Sequence, residues 1–71
     1  MKEEKYKVEG KILKSLGGDK FAVELDNGMV INCHMGGKIR KHGIWLVESD
    51  KVLIYLDAYD MTKGIIKRRI D

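Results

Sequence analysis

The residues best equipped for chemistry in this chain are two histidines, one cysteine and two runs of cations. His34 and His42 bracket Lys38, Arg40 and Lys41 in the stretch HMGGKIRKHGIW, residues 34–45, which holds no acid. Gly36, Gly37 and Gly43 let its backbone approach another surface closely. Lys38 and Lys41 offer compact charges, and Arg40 a planar fork that suits phosphate or guanine. The second run is Lys67, Arg68 and Arg69. Two such clusters on a small domain point toward phosphate backbones, the alternative being solvated surface patches. Trp45 and Tyr59 would add a stacking face for bases. For Trp45 a core position with one exposed edge is the stronger expectation.

Two other chemistries use the same residues. His34 and His42 have the residue type for a general acid and base in RNA cleavage. A glycine-flanked stretch fixes neither ring, and no acid nearby in sequence orients one. No catalytic residue is assigned, and the chain is read as a binder and not an enzyme. A metal site from Cys33, His34 and His42 fails because Cys33 and His34 are adjacent in a strand and point to opposite faces. No zinc-type spacing accompanies the single cysteine. The segment KSLGGDK lacks the lysine-serine or lysine-threonine pair of a phosphate loop at the required spacing after its glycines. No metal or cofactor is expected.

The elements that must position these residues are few. The chain has 71 residues and fits one domain, 1–71, with residues 1–6 as a flexible N-terminal tail. The folded surface should be about 4,500 Å² against about 11,700 Å² unfolded, which leaves one small core and little room for a deep cleft. Fourteen Lys and Arg against eleven acids give a net charge of +3. No apolar run is long enough to span a membrane. MKEEKYKVEG has no apolar segment of signal type. A lone buried thiol suits a reducing, cytoplasmic setting.

The dominant period is two, and glycine does all the punctuation because proline is absent. Strands are expected at 6–13, 20–25, 29–34, 51–56 and, interrupted by cations, 65–70. Gly10 inside the first marks a bend of the kind found at barrel corners. LDNGM is a hairpin signal. A two-residue turn would pair Phe21 with His34 and bury polar groups. A three-residue turn with Gly28 left-handed pairs Phe21 with Cys33, Val23 with Ile31 and Leu25 with Met29. The second register is adopted, and it turns Val30, Asn32 and His34 outward. The core is then Val8, Ile12, Phe21, Val23, Leu25, Ile31, Cys33, Val52, Ile54, Leu56 and Ile66. GGKIRKH fits one helical turn, with Met35 and Ile39 four apart and facing the core. The pattern predicts an all-β, five-stranded Greek-key barrel of OB type with a short helical turn between strands 3 and 4. An SH3-like barrel is the rival.

In order and spacing, VEGKIL, FAVELDNG, CHMGGKIRK, SDKVLIYL and YDMTKGII resemble the motifs of the translation initiation factor one family. The family comprises the smallest bacterial initiation factor and the archaeal and eukaryotic factor one-A, and the resemblance covers residues 7 to 69. It implies an OB barrel that binds the small ribosomal subunit at the decoding (A) site. There it would touch ribosomal RNA and a neighbouring ribosomal protein and assist the other initiation factors, as a monomer, without catalysis. The loop motif places Gly37, Lys38, Arg40 and Lys41 toward RNA, and His34 matches the outward histidine ending the third strand. Tyr59, Asp60, Lys63 and Gly64 match the family's ending. With His42, Lys67, Arg68 and Arg69 these supply the expected RNA-binding set: His34, Gly37, Lys38, Arg40, Lys41, His42, Tyr59, Lys63, Lys67, Arg68 and Arg69.

The chain also departs from the bacterial pattern. Ala58 stands where proline is usual, Ile65 replaces an arginine, and Arg68 stands where an aromatic is usual. Trp45 resembles the archaeal and eukaryotic branch, yet that branch's terminal extensions are absent, so the bacterial type is favoured. A generic OB-fold RNA chaperone of cold-shock type is the alternative. Such proteins carry an aromatic-rich strand pair, whereas aromatics are only 7% here and the second strand has one, Phe21.

Overall fold

The computed structural model describes residues 6–43 and 45–70. Its elements run β1 (Tyr6–Gly17), β2 (Lys20–Leu25), β3 (Val30–Met35), α1 (Gly37–Lys41), β4 (Lys51–Leu56) and β5 (Lys63–Ile70). The strands close into a barrel in the order β1-β2-β3-β5-β4. β3 and β5 run parallel, and the other neighbours are antiparallel. This is the expected all-β barrel of OB type, with its single short helix between the third and fourth strands. Among the described residues, no helix is long and apolar enough to cross a membrane.

The hairpin fixes the parity of the whole core. Phe21 faces Cys33 and Val23 faces Ile31, while the Leu25 N–H donates to the Met29 carbonyl at 2.7 Å. Gly28 takes φ 91, a value that favours glycine over any side-chain-bearing residue. Val30, Asn32 and His34 therefore point to solvent. Of the expected core, all are buried except Val8, which is half-buried and packed against the rest. Ala22, Ile39 and Leu46 join them.

Gly10 is where β1 changes partner. It lies opposite both Leu25 of β2 and Val52 of β4. A Cβ there would sit 2.7 Å from Val23 Cγ1 and 2.9 Å from the Glu24 carbonyl oxygen. Only glycine lets the strand pass so close to its neighbour, and the bend closes the barrel.

Strand ends differ from the sequence reading. β1 runs on to Gly17, because bulges between Ile12 and Lys14 and between Ser15 and Gly17 break the alternation without ending the pairing. β5 starts at Lys63 and absorbs its cations through another bulge: Ile54 faces Ile66 while Leu53 faces Arg68. Lys67 is the extra residue, and an extra residue re-aims the side chains around it. Tyr6, expected both to close the tail 1–6 and to open the strand 6–13, is in the strand and pairs with Leu56. Residues 1–5 lie outside the described residues.

Candidate nucleic-acid interface

The cations of the central stretch stand on a helix and not on a free loop. Gly36 precedes α1 in an extended conformation, and its N–H donates to the Ile66 carbonyl at 2.9 Å. Within α1 only Ile39 is buried, at 2% exposure, with Met35 packed on the core below it. One side chain thus clamps the turn to the barrel and leaves Lys38, Arg40 and Lys41 exposed. His42 caps the turn, its N–H donating to the Lys38 carbonyl at 3.1 Å, and Gly43, at φ 68, leads the chain away.

An acid does reach this surface, from elsewhere in the chain. Asp19, in the turn between β1 and β2, lies 3.4 Å from Arg40. Its carbonyl also accepts the Met35 N–H at 3.0 Å. Lys38, Lys41 and His42 have no ion-pair partner among the described residues.

β5 carries the second cluster to the edge of the first. The Lys67 stem passes beside Gly36, with Cδ 3.8 Å from where a Cβ would stand on that glycine. Arg68 faces Leu53 across the β4–β5 ladder. Arg69 reaches Asp50 at 3.9 Å and the Trp45 carbonyl at 3.4 Å, so it braces the irregular segment that follows α1. His34 stands outward on β3 between Lys20 of β2 and Ile65 of β5. Lys63 lies opposite Asn32 and 3.9 Å from Asp60. Asp60 is held below the usual carboxylate range by the Thr62 hydroxyl, then by the Thr62 N–H and the Lys63 charge.

Two expectations about the aromatics are corrected. Trp45 is 80% exposed and not in the core. The chain has turned at Gly43, and Leu46, one residue on from Trp45, is the buried one among the described residues of this segment. Nor do Trp45 and Tyr59 share a stacking face. Trp45 precedes β4, and the 99% exposed Tyr59 follows it. A strand of this length separates its flanks by roughly 17–20 Å. Tyr59 and Lys63 sit at the barrel end away from α1, whereas Lys38, Arg40, Lys41 and His42 share α1 and its C-cap, and the Lys67 stem passes the Gly36 that precedes them.

The thiol is no ligand partner for the histidines. Cys33 points into the core, where burial pushes its pKa up to about 12, while His34 beside it faces solvent. Among the described residues, no group of three His, Cys, Asp or Glu could hold a metal ion. Sequence reasoning missed Asp19, for which no local signal exists. It also missed Lys20, which the hairpin register already places opposite His34.

The family model for translation initiation factor 1A / IF-1 matches residues 1–71. The chain belongs to this family. Within it, the solution structure of the translation initiation factor IF-1 from the Wolbachia endosymbiont strain TRS of Brugia malayi is similar, at 38% identity with a TM-score of 0.77. That match covers 94% of this chain and 79% of the Wolbachia one. The barrel also resembles part of two larger proteins. YjeQ from Thermotoga maritima matches at 21% identity and TM-score 0.76, over 93% of this chain and 23% of its own. YloQ, a circularly permuted GTPase, matches at 25% identity and TM-score 0.75, with the same coverages of 93% and 23%. Against the bacterial IF-1 pattern, the departures fall at separate places. Ala58 is exposed after β4, Ile65 is half-buried beside His34, and Arg68 stands next to the β5 bulge.

Proposed function

We propose that this IF-1 family factor binds the small ribosomal subunit at the decoding (A) site by gripping ribosomal RNA with α1 and β5. The observation that carries this reading is the α1 clamp. Ile39 is buried while Lys38, Arg40 and Lys41 stand exposed, and the Lys67 stem passes the Gly36 that starts the turn. Cations on a fixed turn lose less freedom on binding than cations on a loose loop. His34, Gly37, His42, Arg68 and Arg69 extend the contact, and Tyr59 and Lys63 make a separate one at the other barrel end. A neighbouring ribosomal protein and the other initiation factors complete the partners. The factor acts as a cytoplasmic monomer, by binding alone. The exposed side of the β2–β3 hairpin carries Lys20, Glu24, Val30, Asn32 and His34 and no aromatic, which disfavours the cold-shock type of RNA chaperone.

Co-sedimentation tests this reading. The protein should pellet with purified small subunits in preference to whole ribosomes, and unstructured single-stranded RNA should not compete it off. Equal retention on whole ribosomes, or ready displacement by any single strand, would refute it.

A further inference from the structure

We propose a second phosphodiester-binding site on the barrel wall, made by Lys7, Tyr55 and Lys67, that holds an RNA strand apart from α1; it rests on the RNA-binding reading above. The three residues meet from three strands. Lys7 of β1 lies opposite Tyr55 of β4, and Tyr55 lies opposite Ile65 of β5. The ammonium of Lys7 stands 5.6 Å from the Tyr55 ring centroid, and that of Lys67 stands 5.3 Å from the same centroid.

Two ammonium groups drawn to one ring concentrate positive charge on this wall, and the surroundings do not neutralise them. Neither has an ion-pair partner among the described residues. Glu9, the next outward residue on β1, faces Leu53 instead. The ring attracts both cations through its electron-rich face and so holds two flexible side chains in place. Preordering of this kind lowers the freedom lost when an anion arrives. The β5 bulge contributes, since Lys67 is its extra residue. Successive phosphates of a strand laid across β1, β4 and β5 would neutralise the two ammonium groups in turn, and the Tyr55 hydroxyl would donate to a neighbouring phosphate oxygen.

The site also continues a larger belt. Lys7, Tyr55, Ile65, His34 and Lys20 are successive partners across all five strands and form one outward row without an acid. Lys67 joins that row to α1, through its stem beside Gly36. RNA gripped at α1 therefore has a cationic path round the wall toward β1. A repeating polyanion fits such a path, because its charges recur along a strand.

Salt titrations of binding to purified small subunits test the site. Lys7→Ala should make the slope of log affinity against log salt shallower by roughly 0.7 to 0.9, one phosphate contact. Tyr55→Leu keeps every charge but frees the lysines, and should weaken binding several-fold at fixed salt. Lys11→Ala, an exposed cation further along β1, is the control for net charge. A benzophenone placed at position 9 should cross-link to ribosomal RNA. If Lys7→Ala changes the slope no more than Lys11→Ala, or if the cross-link goes only to ribosomal protein, the wall site is wrong. Joint replacement of Lys38, Arg40 and Lys41 reports separately on α1. Loss there with none at Lys7 rejects only the wall site, while no loss at either rejects the RNA-binding reading itself. Thermal melts of each variant establish that the barrel is intact.

Discussion

Arg40 Nη1 lies 3.4 Å from Asp19 Oδ2, joining the turn between β1 and β2 to the helix that carries the central cations. Both side chains are partly exposed, at 61% and 32%, so the pair adds at most about 1 kcal/mol to stability. Its larger consequence is for binding, because a phosphate that takes Arg40 must compete with the carboxylate. Asp19→Asn removes the competing charge and leaves the backbone bond to Met35 in place. RNA affinity should rise by up to about fivefold, the equivalent of ~1 kcal/mol, with little change in melting temperature. Binding titrations at low salt check this. Weaker binding would mean that Asp19 orients Arg40 for RNA and does not withhold it.

Replacing Lys38, Arg40 and Lys41 together with alanine tests the helix itself. If each touches one phosphate, the salt slope should become shallower by about 2 to 3 units. Lys11, Lys14 and Lys51, exposed on β1 and β4, provide the same loss of charge elsewhere. An equal effect from both triple variants would indicate diffuse attraction by net charge. Far-ultraviolet spectra should match the parent in both cases, because exposed cations contribute little to the fold.

The fold was legible where one local choice had a global consequence. The DNG turn admitted two registers, and only one placed Phe21 and Cys33 on the same side. That single decision placed almost every core residue. The helical turn was legible from the spacing of Met35 and Ile39. What escaped was long-range or non-periodic. Asp19 meets Arg40 only because the barrel brings the β1–β2 turn to α1. The burial of Leu46 in place of Trp45 depends on how the chain turns at Gly43, which hydrophobicity does not encode. The separation of Trp45 from Tyr59 was within reach, since the strand predicted at 51–56 lies between them. The three consecutive cations of β5 obscured that strand because a bulge, not alternation, accommodates them.

Ile39 should couple stability to binding. Ile39→Ala removes the one side chain that anchors α1, and costs about 2–5 kcal/mol if the cavity does not collapse. In conditions where the barrel remains folded, RNA affinity should also fall although every cation is retained. The measurement is binding well below the melting midpoint, beside hydrogen exchange of the α1 amides. Unchanged affinity with rapidly exchanging α1 amides would show that the cations need no fixed turn.

Cys33 makes a prediction about alkali. Burial raises its pKa from the ordinary value of 9.0 to about 12. In the unfolded chain the thiol ionises near its ordinary value, so between those two pH values the unfolded state has released a proton that the folded state keeps. Unfolding is therefore favoured as pH rises. The stability that this thiol contributes is fully present below about pH 9 and is lost progressively toward pH 12. Cys33→Val removes the titrating group and keeps an apolar side chain in the core. Denaturant melts from pH 7 to 11 should show a steeper alkaline decline for the parent than for the variant, whatever their difference at pH 7. In parallel, the parent thiol should resist alkylation at pH 8 until the barrel opens, because the thiolate is the reactive form. Rapid alkylation of the folded protein, or identical pH profiles for parent and variant, would show that this thiol is not shielded by the core.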